Sequence, residues 1–153
     1  MKGLTVRQFY DSLCDRLVLK LVAGEKGLKR KILISEINRP GLVLAGYTTY
    51  FATRRGQGLG KVEISYLRNL PLAKRKRQIS IFLKQKIPFC IVARNYVPPP
   101  ELLEEADRVG VPIFRSPMIT TRLLNLCTIA LEEMVSPTTS VIANLAEVYG
   151  VGV

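Results

Sequence analysis

The chain has 153 residues, 48% of them hydrophobic, with 23 lysines and arginines against 12 acidic residues and no histidine. That apolar content excludes a disordered chain and allows one sizeable core, and the missing imidazoles exclude histidine-based acid–base catalysis, Cys–His nucleophiles and histidine metal sites. The net charge of +11 favours anionic partners, and no run reaches the roughly 18 apolar residues of a membrane helix.

The amino terminus carries no basic, apolar and small-residue leader, so a soluble, cytoplasmic protein without a membrane partner is expected. Thr5 reads as an N-cap, and Val6, Phe9, Tyr10 and Leu13 recur at helical spacing, which predicts a short amphipathic helix. Leu17 to Val22 alternates as a strand, turned by Gly24 and Gly27. Lys29 to Lys31 reads as a solvated connection, and Ile32, Leu33, Ile34 and Ile37 as a second strand.

Arg39-Pro40-Gly41 is turn chemistry: proline fixes φ and pushes Arg39 toward extended geometry, leaving Gly41 to take positive φ. Asn38 and Arg39 then stand where a sheet edge opens onto solvent, and Tyr47, Tyr50 and Phe51 supply large side chains to anchor the turn.

The segment Arg54 to Lys61 invites a phosphate-loop reading that its spacing rejects. Gly60-Lys61 is followed by Val62, with no hydroxyl for a magnesium ion, and Gly56, Gly58 and Gly60 do not match the dinucleotide fingerprint. A flexible loop feeding a helix over Lys61 to Leu70 is expected instead. Pro71 opens another helix, with Leu72, Ile79, Phe82 and Leu83 inward and Lys74-Arg75-Lys76-Arg77 outward.

From Pro88 the pattern becomes strand, helix, strand: Phe89 to Ala93, a helix entered by Pro98-Pro99-Pro100 and ended by Gly110, then Val111 to Phe114. A parallel β-α-β unit follows. The last long helix runs over Thr120 to Met134, with Ser116, Thr120, Thr121 and Arg122 at its front, where capping or a phosphate-sized anion fits. Ser136-Pro137 breaks that helix, Val141 to Val148 reads as a strand, and the apolar stretch ending at Val153 reads as the edge of a fragment. Cys14, Cys90 and Cys127 lie far apart in apolar patterns, as buried thiols do, and show no metal spacing.

Several of these segments, in this order, resemble the bacterial HPr kinase/phosphorylase family. The likeness rests on Leu21-Val22-Ala23-Gly24-Glu25, Arg39-Pro40-Gly41-Leu42 with Leu44-Ala45-Gly46-Tyr47, Leu59-Gly60-Lys61 with Glu63, Pro98-Pro99-Pro100-Glu101-Leu102-Leu103, Arg115-Ser116 with Thr120-Thr121-Arg122, and Val148 to Val153. It covers nearly the whole chain. The resemblance implies an amino-terminal α/β domain like the first domain of Mur ligases, joined to a carboxy-terminal P-loop kinase domain in a hexamer. The whole enzyme would phosphorylate a serine of HPr with ATP and magnesium and reverse this by phosphorolysis.

The expected fold is therefore an α/β, three-layer-like domain with a mainly parallel sheet flanked by helices and built from β-α-β units, plus the first strand of a missing P-loop kinase domain. Residues 1–134 would form the accessory domain, and residues 135–153 the linker and the start of the kinase domain. On that kinase strand the family usually has a histidine and a glycine where this chain has Ile142 and Ala143, so phosphorolysis in the parent is in question.

No catalytic or metal residues and no cofactor are expected in this chain itself. The expected ligand or partner surface comprises Asn38, Arg39, Gly41, Tyr47, Arg94, Asn95, Thr120, Thr121 and Arg122. Its partners would be the parent's kinase domain and further copies of the chain, with HPr a partner of the parent. A stand-alone basic module binding nucleic acid or an anionic metabolite is the alternative. Nucleic acid is disfavoured, because aromatic–basic interleaving and helical duplex readers are both missing.

Overall fold

A reciprocal cap starts the first helix. In the computed structural model, which describes residues 3–48 and 53–135, Thr5 Oγ1 accepts the Gln8 N–H at 3.1 Å while Gln8 Oε1 accepts the Thr5 N–H at 2.9 Å. Strand β1 (Leu4–Thr5) thus passes directly into α1 (Val6–Leu13), which buries Val6, Phe9 and Leu13. Phe9 stacks on Phe89 with centroids 4.8 Å apart, and Tyr10 on Phe114 at 5.0 Å.

The next strand, β2 (Lys20–Ala23), begins later than the alternation suggests. Leu17 and Leu19 are buried, but the chain reaches them through a turn in which exposed Val18 takes φ 51°. A β-branched residue is strained there. Val18→Asn is accordingly expected to raise stability by about 1 kcal/mol in urea unfolding, and a lower midpoint would contradict the assignment of strain.

Glu25–Lys29 forms a 3-10 turn, and the stretch read as one strand divides in two: β3 (Lys31–Ile32) pairs antiparallel with β1, while β4 (Ile37–Asn38) joins the main sheet. The basic connection at Lys29 to Lys31 is not simply solvated either. Arg30 donates to the carbonyls of Gly110 (2.6 Å), Ile87 (3.1 Å) and Val109 (3.3 Å), closing the carboxyl end of a helix 80 residues away.

After Pro40, Gly41 opens a one-turn helix, α2 (Gly41–Leu44), and Gly46 carries the positive φ that the sequence reading gave to Gly41. Tyr47 is 50% exposed and is not among the described side chains packed against either core; Tyr50 and Phe51 lie outside the described residues.

The largest departure is the glycine-rich segment, which is not a loop. Gly56–Leu59 is a fully buried strand, β5, paired in parallel with β4 and with β6 (Cys90–Val92). A Cβ at Gly56 would lie 2.3 Å from the Phe89 ring, and one at Gly58 2.7 Å from Leu124, so bare backbone is what lets those side chains close over the sheet.

Helices α3 (Lys61–Asn69) and α4 (Leu72–Lys84) cross from β5 to β6. On α4, Ile79, Phe82 and Leu83 are buried as expected, whereas Leu72 is 52% exposed. Arg75 leaves the solvated basic run: it donates to the carbonyls of Leu67, Arg68 and Leu70 and pairs with Glu101 at 2.9 Å. That hydrogen bond holds the Glu101 carboxyl below its ordinary pKa. A depressed folded-state value gives stability that is present above the unfolded pKa, about 4.3, and is lost as pH falls through the lower folded value. Unfolding midpoints are thus expected to fall on acidification from neutral pH, with a shallower fall in Glu101→Gln; parallel pH profiles would contradict the pairing.

Pro100–Val109 is α5, ended by Gly110 at φ 74°, and β7 (Ile113–Arg115) pairs in parallel with β6, which completes the expected β-α-β unit. The closing helix is α6 (Thr120–Val135).

The main sheet has the order β2-β7-β6-β5-β4, with only β2 antiparallel to its neighbour. Cys90 and Val92 face a core with α2 to α5, and Phe89, Ile91 and Ala93 face a second core with α1 and α6. The architecture is therefore α/β in three layers. Burial raises the pKa of the Cys90 thiol and pushes that of Cys127 up to about 12. Among the described residues no helix is long and apolar enough to cross a membrane. The expected strand at Val141 to Val148, with Ile142 and Ala143, lies outside them.

Candidate functional site: the carboxyl edge of the sheet

Strands β4, β5, β6 and β7 run in parallel, so their carboxyl ends meet at one edge, the side on which open α/β sheets take ligands. The sequence-derived residues distribute unevenly along it. Asn38 ends β4 and donates through Nδ2 to Oε1 of fully buried Gln57 at 2.9 Å; Gln57 in turn donates to the Arg55 carbonyl. Arg39, 44% exposed, pairs with buried Glu63 at 2.8 Å.

Glu63 is the hinge of the arrangement. It lies on the first turn of α3, and its Oε1 also accepts the Gly60 N–H at 2.7 Å, capping the helix. A Cβ at Gly60 would lie 2.9 Å from Arg39 Nη2 and 3.1 Å from Thr120 Oγ1, so Arg39, the start of α3 and the start of α6 converge on one point. Thr121 and Arg122 follow Thr120, both exposed.

Arg94 and Asn95, also exposed, leave the end of β6 with φ 55° and 52°. Two consecutive left-handed non-glycine residues are backbone strain, held here by Arg94 N–H to Met118 O and Asn95 N–H to Ser116 O, both 2.9 Å. The same loop is pinned by Arg115, which donates to the carbonyls of Tyr96 (3.1 Å) and Asn95. Ser116, expected among the caps of α6, is buried and ties the edge to the first turn instead, donating to Leu17 O at 2.7 Å and accepting from Met118 N–H.

Asn38, Arg39, Arg94, Asn95 and Thr120 therefore share the edge. Gly41 and Tyr47 stand on the α2 side, and among the described residues no hydrogen bond or ion pair joins either to the Arg94 loop or to α6. Sequence reasoning missed Gln57, Glu63 and Arg115. For Glu63 a signal existed, since a glutamate three residues after a chain-turning Gly60 has capping-box spacing.

Electrostatically the edge favours anions. Lys20, Arg39, Lys61, Arg94, Arg115 and Arg122 stand at its strand and helix ends, and Glu63, the carboxylate among them, is already paired. The positive ends of α3 and α6 add to this field.

Comparison with known proteins agrees with the resemblance. The chain is 42% identical over 139 residues to the HPr kinase/phosphorylase of Bacillus licheniformis, 40% to that of Bacillus subtilis and 39% over 143 residues to that of Halalkalibacterium halodurans. These alignments take in 91–94% of the chain but 45–46% of each relative, so the chain spans about half the length of the relatives it matches. Among solved structures, the CBS and DRTGG domains of the regulatory region of Clostridium perfringens pyrophosphatase, complexed with diadenosine tetraphosphate, superpose with a TM-score of 0.57 over 88% of this chain and 50% of that one. At 12% identity that likeness is one of fold. The family model described as HPr Serine kinase N terminus matches residues 4–131, and the chain belongs to that family.

Proposed function

We propose that this chain is a non-catalytic regulatory and oligomer-forming domain of a bifunctional bacterial HPr kinase/phosphorylase, working in the cytoplasm. The parent would phosphorylate a serine of HPr with ATP and magnesium, reverse the reaction by phosphorolysis, and assemble as a hexamer. The accessory domain would occupy residues 1–134; residues 135–153 would link it to the kinase domain and begin that domain's first strand.

The observation that carries this reading is the fate of the glycine-rich segment. Gly56, Gly58 and their neighbours form a buried sheet strand, with Gln57 N–H donating to Phe89 O and Gly58 paired with Ile91. The Gln57 amide is engaged in the ladder and the face that Gly56 and Gly58 leave bare is filled by Phe89 and Leu124, so the strand does not fit the phosphates of ATP. Phosphoryl transfer then falls to the other half of the parent. What remains for this half is a rigid three-layer body with a cationic, partly strained edge, suited to sensing an anionic ligand or contacting a neighbour and passing the change through Val135 to Thr139.

Deleting residues 1–134 from the parent tests this directly. Phosphorylation of HPr should persist, while particle mass by light scattering and the response of the rate to metabolites should change. Unaltered assembly together with an unaltered metabolite response would overturn the proposal.

A further inference from the structure

Beside the shared edge, a cleft of about 430 Å³ opens between α3 and the loop that follows β6. Lys61, Ile64, Ser65 and Arg68 recur at helical spacing and present one stripe of α3 to it, while Tyr96 and Val97 form the facing wall. The wall is fixed rather than loose. Three successive carbonyls of the loop accept from arginines: Asn95 and Tyr96 from Arg115, and Val97 from Arg68, whose Nε lies 3.0 Å away and whose Nη2 also donates.

The lining is chemically divided. Ile64 is buried, Tyr96 is half-buried where it packs against the core of α2 to α5, and Val97 beside it is 57% exposed. Lys61 has no hydrogen-bond or carboxylate partner among the described residues, and the Arg68 guanidinium meets only the Val97 carbonyl. No carboxylate lines the cleft, so two positive charges stand uncompensated next to an aromatic and aliphatic wall. The cleft is open to solvent, and its volume of about 430 Å³ admits a compact ligand.

We propose that this cleft binds a nucleoside monophosphate-type ligand, with its phosphomonoester on Lys61 and Arg68 and its planar ring against Tyr96 and Val97. The phosphate supplies the missing countercharge through charge-assisted hydrogen bonds, and the ring covers the exposed apolar wall. Ser65 lies on the same stripe of α3 between Lys61 and Arg68, where its hydroxyl can donate to the phosphate. The biological consequence rests on the regulatory reading above, because a ligand here would press on the loop that Arg115 ties to β7.

The test is calorimetric titration of the 153-residue chain with adenosine 5′-monophosphate, adenosine and ribose 5-phosphate. One saturable site for the monophosphate with Kd below about 1 mM is expected, with adenosine and ribose 5-phosphate each weaker by about 10-fold or more. Lys61→Gln alters an exposed side chain that bonds to nothing described, so it should keep the melting temperature and weaken monophosphate binding by about 5- to 10-fold. Tyr96→Leu should weaken monophosphate binding while leaving that of ribose 5-phosphate unchanged.

No saturable heat, equal affinity for ribose 5-phosphate, or wild-type affinity in Lys61→Gln would each overturn the assignment. Because the titration reads the isolated chain, its failure leaves the domain-deletion result in the parent untouched, and the reverse also holds.

Discussion

Gly24→Ala is expected to cost about 4 kcal/mol or more, a large share of the stability of a domain this size. Gly24 takes φ 76° between β2 and the 3-10 turn, and a Cβ there would sit 1.9 Å from the Val111 carbonyl oxygen. The obstacle is backbone of the segment entering β7, so no rotamer change relieves it. Its N–H is also committed, donating to Asp107 at 2.7 Å, which joins β2 to α5. The matched control is Gly41→Ala. Gly41 opens α2 and a Cβ there would meet nothing within 4 Å, so alanine should be neutral or stabilising by up to about 1 kcal/mol. Urea unfolding of the two variants separates these outcomes, and equal losses would contradict the assignment of positive φ to Gly24 rather than Gly41.

Removing the Glu63 carboxylate should be the most damaging single change at the candidate site. Glu63 is buried and serves both Gly60 N–H and Arg39. Glu63→Ala leaves the Gly60 amide without its acceptor and removes the cap of α3, for an expected loss of about 2–3 kcal/mol. In Glu63→Ala the 44% exposed Arg39 can rehydrate, whereas Arg39→Ala leaves the buried Glu63 carboxylate held by the Gly60 N–H and should cost about 1–2 kcal/mol. Glu63→Gln keeps an acceptor for Gly60 and should fall between the two. A larger loss for Arg39→Ala than for Glu63→Ala would show that the ion pair, rather than the cap, organises this corner.

Helices with a one-sided apolar stripe were legible in the sequence. Thr5 with Gln8, Val6, Phe9 and Leu13 define α1 locally, and Gly110 marks the end of α5, because capping and periodicity involve residues within a turn or two of one another. β5 was not legible. Gly56-Gln57-Gly58 has no apolar alternation, and it is a central strand because Phe89 and Leu124, far along the chain, supply the bulk its own residues lack. Arg30 and Arg75 were read as solvated for a related reason: the carbonyls they bind are left over at helix ends remote in sequence or across a tight turn, and charge alone does not reveal them.

The site was half visible. Asn38 and Arg39 follow from turn chemistry at a strand end, and Thr120 from the start of a helix. Their convergence depends on the parallel pairing of β4 with β5 and on Gly60, where the absence of a side chain lets Arg39 and Thr120 approach. Gly41 and Tyr47 are near them in sequence, but Gly41 opens the one-turn helix α2, which packs on α3 and α4, and Tyr47 follows that helix.

The proposed division of labour between this domain and a kinase half is tested most directly by purifying residues 1–153 and incubating them with ATP, magnesium and HPr, with phosphoserine followed by mass spectrometry. HPr of unchanged mass is expected, with ATP consumed no faster than in buffer. Phosphorylated HPr, or ATP turnover that tracks the concentration of the chain, would contradict that division.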